Sequence, residues 1–587
     1  MSNKMVEPLD AWSLKNIRNI GYSLTETARR MPNSVAVACP AKKQPKKLRP
    51  GQKFRYDTIT FGDLDTASDQ IANGIRKLGV QPGTRLALMV PPGISFVSHV
   101  FGLFKAGVVV ILIDPGMGRK NMIQCLSEAE PHGIVGIPLA QLARTIFGRR
   151  LPLCKTNVVV DGYFPFCTKS SSFSKSDSDS NSKDGLPRHE SMSREDEAAI
   201  IFTTGSTGPP KGVLYRHRNF IQQSDQIRDY FGIKPGRTDV SGFPLFALFN
   251  TAMGTTTVFP EMDPTRPADV YPPNIIDAVN QFSADHSFGS PALWNTVSNY
   301  CEANSVVLPT LKRILSAGAP VPASVLGRVK SIISPDGDAY TPYGATEALP
   351  VACNSASVIL SETSEKTDNG NGTCVGNRFS GIDWKVIKIS DEPILNIEDT
   401  QPVSQGEIGE LIVRGAVVTD QYVTRTEANA DHKISDPSAS GSVDPDSSPK
   451  FWHRMGDVGY LDDQDRFWFC GRKTHRVRTK DGEMYTVPCE AIINTHGQVY
   501  RSALVGVGEP GMQEPVLIIE PVPSAWSNDK ASQGRLISEV REIAGQHWQT
   551  ESIKHFLVHK SLPVDIRHNS KIFREKLRVW AKDVLGW

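Results

Sequence analysis

Nine cysteines, at 39, 125, 154, 167, 301, 353, 374, 470 and 489, are spread along the chain without a single C-x-x-C pair. That spacing argues against a disulfide framework and a zinc site, and reduced thiols in a cytosolic protein are expected. Neither sign of charge predominates: 65 Lys and Arg stand against 63 Asp and Glu, so electrostatics gives no reason to expect a nucleic-acid partner. Long apolar runs are missing as well. Residues 100–113 are interrupted by Lys105 and too short to span a bilayer, and the N-terminal residues lack the apolar core of a signal peptide. No transmembrane segment and a cytoplasmic location are expected. No Ser-His-Asp or Cys-His motif announces a protein nucleophile.

What is present is more informative. At 587 residues the chain exceeds one core, and 39% hydrophobic with 22% charged residues is the composition of a folded globular protein. Within 59–160, short apolar runs at 86–90, 108–113, 134–137 and 158–160 alternate with helical periodicity. Residues 65–78 put Ile71, Ala72, Ile75 and Leu78 on one face, with Gly79 available to end that helix. The alternation predicts an α/β fold of doubly wound sheets. Two stretches rich in Ser and Asp, near 168–197 and 435–450, lose all apolar periodicity and read as solvated insertions. From about 471 the pattern changes to a small α+β unit, with strands at 502–507, 516–522 and 555–559 and helices at 536–548 and 570–585. The expected division is therefore 1–470 as a large N-terminal domain and 471–587 as a small C-terminal lid domain.

One stretch carries most of the chemistry. After the strand-like run 198–202 comes Thr203-Thr204-Gly205-Ser206-Thr207-Gly208-Pro209-Pro210-Lys211-Gly212. Its glycines let backbone N–H groups converge on an anion, while its hydroxyls and Lys211 add donors, so a polyphosphate is the expected ligand. It is not a Walker A loop, because Pro210 stands where that pattern needs its second glycine.

This stretch resembles the phosphate loop of the AMP-forming adenylating superfamily, which includes acyl-CoA synthetases, peptide-synthetase adenylation domains and luciferases. The resemblance extends over nearly the whole chain apart from the two insertions. It implies that a carboxylate attacks the α-phosphate of ATP, giving an acyl-adenylate and pyrophosphate. In that frame the small residues Gly318, Ala319 and Pro320 border adenine, and the run Tyr343-Gly344-Ala345-Thr346-Glu347 matches the family's Tyr-Gly-x-Thr-Glu motif. The tyrosine would stack on the base, Thr346 reach the α-phosphate or substrate carboxylate, and Glu347 hold Mg²⁺, a hard cation that prefers oxygen. Asp457 would grip the ribose and Arg472 lie near ribose and phosphate. Thr474 occupies the hinge position usually held by Asp or Lys, and Lys571 is the family's C-terminal lysine. Met455 replaces the usual threonine before Gly-Asp, and Ser570 the usual glycine before the lysine.

Which acid is activated is read from departures. Ala247 stands where many relatives carry a histidine after Pro-Leu-Phe. With the blocks at 343–350, 471–477 and 564–576, this is similar to the β-lactone synthetases of bacterial olefin pathways. That similarity implies a long-chain 2-alkyl-3-hydroxy fatty acid as substrate and possible association with other olefin-pathway enzymes. A long-chain acyl-CoA synthetase or acyl-AMP ligase would use the same adenylation residues, and a non-catalytic adenylate-binding protein is the remote alternative. Phe243, Phe246, Phe249, Asn250, Phe288 and Gly289 are the candidate acyl-pocket residues, being apolar or small and near the motifs in sequence.

Overall fold

The computed structural model describes residues 12–173, 192–203, 209–439, 450–564 and 571–587. Two large sheets dominate. In the first, strands Thr168–Lys169, Thr156–Val159, Gly133–Gly136, Arg85–Met89, Val109–Leu112 and Glu197–Phe202 lie side by side and parallel, and Gly212–Arg216 closes the edge antiparallel. Helices cover both faces. Helices Phe61–Lys77 and Ile94–Lys105 bury Ile71, Ile75, Val97 and Phe101 on one side, and helix Arg119–Ala129 buries Cys125 and Leu126 on the other. The expected helix face therefore forms, except that Leu78 is exposed beyond the helix end. Strands covered on both faces need continuous apolar runs, which is what Val109–Leu112 supplies.

The second sheet follows the same plan. Its parallel core includes Thr256–Val258, Thr238–Val240, His286–Gly289, Arg313–Ser316 and Asp338–Ala345, and Ala348–Ser355 then turns back antiparallel. A third sheet, unforeseen from sequence, packs Ile382–Ile387, Gly409–Gly415, Phe451–Leu461 and Phe467–Arg472 as antiparallel neighbours. The first insertion is shorter than its composition implies. Thr168–Lys169 pairs with the first sheet, Ser170–Ser172 forms a 3₁₀ turn, and Phe173 packs against Gly74 and the core. Residues 174–191 and 440–449 lie outside the described residues.

Downstream, strands Val499–Val507, Glu514–Pro521 and His555–Val558 form a three-stranded sheet. Alternation splits it into two faces: Leu504, Leu517 and Ile519 pack beneath helices Thr486–Ile493 and Lys530–Ala544, while Val505, Val516 and Ile518 pack with Leu577 of helix Arg574–Leu585. That last helix starts later than expected. Phe573 holds non-helical angles at its N-cap, and its N–H donates to the Pro563 carbonyl as Val564 bridges Ile572. Lys571 thus precedes the helix instead of opening it, and Val584 faces out while Leu577 and Ala581 make the buried stripe.

Candidate active site

Each large sheet carries an antiparallel hairpin toward one edge, and the two hairpin ends supply the central groups. The connection between Glu197–Phe202 and Gly212–Arg216 is the glycine-rich stretch. At its base the Thr203 N–H donates to the Lys211 carbonyl (3.0 Å), and the Lys211 N–H donates to Thr203 Oγ1 (3.0 Å). Thr204, Gly205, Ser206, Thr207 and Gly208 lie outside the described residues. In the second sheet, Ala345 pairs with Ala348, so Thr346 and Glu347 are the two residues of a tight turn. The Tyr215 hydroxyl donates to the Thr346 carbonyl (2.5 Å), and Thr419 donates to the Glu347 carbonyl through its N–H (2.9 Å) and its hydroxyl (3.0 Å). The turn is held from the first sheet on one side and from the third-sheet connection on the other.

Tyr422, which the sequence reading did not single out, links these parts. Its hydroxyl donates to Glu347 Oε1 at 2.6 Å, and its ring lies 4.7 Å from the Lys211 ammonium. Among the described residues no hydrogen bond reaches Glu347 Oε2. Lys211 Nζ is also 2.9 Å from His432 Nε2. Burial, aided by the Lys211 charge, pulls the His432 pKa down to about 4, so the neutral ring accepts from the ammonium. Lys433, beside it, is half-buried with its ammonium donating to the Thr419 carbonyl, and desolvation brings its pKa down to about 7. His432 and Lys433 sit in no motif. The only available signal was a His-Lys pair next to a Ser/Asp-rich stretch.

The ribose candidate is equally enclosed. Asp457 is buried opposite Arg472 in the Phe451–Leu461 and Phe467–Arg472 pair; its Oδ1 lies 3.0 Å from the Arg472 guanidinium, and its Oδ2 accepts from the Tyr343 hydroxyl at 2.5 Å. Burial pushes the Asp457 pKa up against the opposing pull of Arg472, the Tyr343 bond and the charge of Lys571. Lys571 is therefore within electrostatic range of this carboxylate. Arg472 in turn feels Asp457 and Glu347, and Lys211 feels Glu347 and Arg472. Lys211, Glu347, Asp457, Arg472 and Lys571 are thus electrostatically linked.

Fit to a nucleotide can be tested on atoms left over. Asp457 Oδ1 and Ser316 Oγ are buried without a hydrogen-bond partner among the described residues. Ser316 ends strand Arg313–Ser316, just before Gly318, whose φ of +99° suits glycine and lets the Ala317–Pro320 turn open without a side chain. An acceptor met only by its ion pair with Arg472 and an unmet hydroxyl beside Gly318 are what a ribose and a base edge would need.

The aromatic candidates also gather. Phe246 stacks on Phe288 (centroids 4.4 Å, 19°), and Phe243 and Phe249 lie within 5.8 Å of that pair's rings, Phe243 being the exposed member. A side chain at Gly289 would meet Trp294 Nε1 at 2.9 Å, so the glycine keeps that wall flat. Asn250 is the polar member of the set. It is fully buried, its amide donating to Asp239 Oδ2 (2.7 Å) and Thr257 Oγ1 (3.1 Å), and Asp239 Oδ1 accepts from the Phe288 N–H. It braces the strands behind the aromatic cluster, while its Oδ1 is buried without a hydrogen-bond partner among the described residues. Thr474 is exposed in the 3₁₀ turn Lys473–His475. Before it Lys473 donates to the Ser390 carbonyl (3.0 Å), and after it Arg476 and Arg478 pair with Asp391.

Residues 24–423 match the family model described as AMP-binding enzyme. The chain belongs to that family. This AMP-binding enzyme is 41% identical over 576 residues to the olefin beta-lactone synthetase of Xanthomonas campestris pv. campestris, covering 97% of this chain and 99% of the relative. It is likewise 41% identical over 565 residues to the olefin beta-lactone synthetase of Stenotrophomonas maltophilia, covering 96% and 98%. Among solved structures, the enzyme superposes on the amide bond synthetase McbA from Marinactinospora thermotolerans with a TM-score of 0.72 at 17% identity, covering 96% and 99% of the two chains. The fold class is thereby that of adenylating enzymes, with a large N-terminal and a smaller C-terminal part.

Proposed function

We propose that this AMP-forming ligase activates a long-chain 2-alkyl-3-hydroxy fatty acid with ATP and Mg²⁺ and then closes it to a β-lactone. In the first step a carboxylate oxygen bonds to the α-phosphorus and pyrophosphate leaves. In the second, the substrate's 3-hydroxyl oxygen attacks the acyl carbon, its proton is lost, and AMP departs. The second nucleophile is already tethered, which removes an association cost, although ring strain offsets part of it.

The residues divide accordingly. Residues 203–211 hold the β- and γ-phosphates, Tyr343 and the 318–320 turn border the base, and Asp457 with Arg472 takes the ribose. Glu347, turned by Tyr422, offers Oε2 to Mg²⁺, which supplies charge neutralisation across the phosphates when bound. Thr346 and Lys571 address the α-phosphate and carboxylate. The aromatic group Phe243, Phe246, Phe249 and Phe288 receives the chain, and the part beyond residue 470 acts as a lid turning near Thr474. A cytoplasmic location and association with other olefin-pathway enzymes go with this reading.

The observation that carries the reading is 41% identity sustained over nearly the full length of two relatives bearing this activity in their names. The test is incubation with ATP, Mg²⁺ and a 3-hydroxy acid, with CoA present or omitted. CoA-independent release of AMP with a lactone as product is expected. A CoA requirement for AMP release would overturn it in favour of an acyl-CoA synthetase.

A further inference from the structure

Helix Pro138–Ile146 is packed inside out. Its inward residues are Ala140 and Gln141, and the Gln141 amide is spent in the core, donating to the Ile134 (3.1 Å) and Val158 (2.9 Å) carbonyls of the strands beneath. Its large apolar residues point the other way. Leu139, Leu142 and Ile146, at spacings of three and four, are 69%, 45% and 66% exposed. The register is fixed, because Gln141 and Ala140 seat the helix and Pro138 packs on Gly162. A helix free to choose would turn those three residues inward.

The neighbouring surface continues the pattern. Leu153, Tyr163 and Phe166 are all exposed, Phe166 completely. From 138 to 169 the sequence holds Arg144, Arg149, Arg150, Lys155 and Lys169 against one acid, Asp161, whose carboxylate accepts from the Ser95 hydroxyl. Arg149 and Arg150 form the 3₁₀ turn that follows the helix directly. Glu128, on the adjacent helix, is paired with Arg425. An apolar stripe rimmed by cations, on a chain of nearly balanced overall charge, is the composition that settles into an anionic bilayer interface. A protein partner would be met as well by acids mixed into the rim, and within residues 138–169 Asp161 is the single acid.

We propose that the outer face of helix Pro138–Ile146, with its basic surround, seats the enzyme on an anionic lipid surface. The surface stands on its own geometry, and the lipid substrate proposed above gives it a use: a long-chain acid resides in membranes and would be met there. The experiment is sedimentation of the full-length protein, without substrate, with phosphatidylcholine vesicles and with phosphatidylcholine–phosphatidylglycerol vesicles. The unmodified protein is expected to pellet with the mixed vesicles, and to be released by salt. The triple variant Leu139→Gln, Leu142→Gln, Ile146→Gln is expected to lose at least about tenfold in vesicle affinity with little change in melting temperature, since all three side chains are exposed. The pair Arg149→Gln, Arg150→Gln gives an independent arm and should weaken binding to mixed vesicles alone. Undiminished binding by both variants, equal binding to neutral vesicles, or no binding by the unmodified protein would overturn the proposal. So would a triple variant whose only change is loss of self-association. Because no turnover is read, failure here leaves the lactone reading untouched.

Discussion

Replacing Tyr422 by phenylalanine isolates one atom of the site. The ring, and with it the face beneath the Lys211 ammonium at 4.7 Å, is retained. So is the local backbone, since the Tyr422 N–H and carbonyl are held by the Asn429 side chain at 2.8 and 3.1 Å. What disappears is the O–H that fixes Glu347 Oε1 at 2.6 Å. A hydrogen bond to a charged group contributes about 1.5–3 kcal/mol. If that orientation is what presents the carboxylate to Mg²⁺, the loss translates to a roughly 10- to 150-fold fall in kcat/KM. ATP–pyrophosphate exchange measured across a Mg²⁺ titration is the assay. We expect the variant to need more Mg²⁺ and to recover part of its rate when it is supplied. Exchange within about twofold of the unmodified enzyme at every Mg²⁺ concentration would refute the role of Tyr422, because even the lower bound of that range exceeds it.

Two further outcomes are expected. Lys571→Ala should lower adenylation by about 10²–10³ with little change in melting temperature, as loss of a single group that stabilises developing charge does; full exchange activity in this variant would remove Lys571 from the site. His432→Gln should flatten the acid side of the stability curve. His432 has a pKa of about 4 in the fold against 6.5 when unfolded, so between those values only the unfolded chain takes up the proton and stability drains away as pH falls. Denaturant midpoints at pH 7 and pH 5 should separate less for the glutamine variant, and equal separations would refute the linkage.

The sequence was most legible where short-range chemistry sufficed. The strands at 85–89, 109–112 and 133–136 lie within a residue or two of the apolar runs, because a strand buried on both faces has no alternative composition. Tyr343, Glu347, Asp457 and Arg472 do converge, and their motifs are local. What could not be seen depends on pairing over distance. Tyr422 acquires meaning only through its bridge to Val213 of the first sheet, and His432 only when the strand after it joins the third sheet; neither pairing leaves a periodic mark in the sequence. The bracing bond of Asn250 was hidden for the same reason: it follows a run of phenylalanines in sequence, and its amide reaches Asp239, eleven positions back on strand Thr238–Val240. Lys571 was found by motif, yet its placement before helix Arg574–Leu585 follows from a bridge between Val564 and Ile572 that no helical period encodes.

The bond between Tyr343 and Asp457 bears on how tightly a nucleotide can be held. A sugar hydroxyl arriving at Oδ2 displaces a phenol already there, exchanging one O–H donor for another. Such a swap is close to neutral in free energy, whereas filling an empty acceptor would not be. If Asp457 takes the ribose as proposed, Oδ2 is a checkpoint more than an anchor, and the grip on ATP falls to Oδ1, the base and the phosphates.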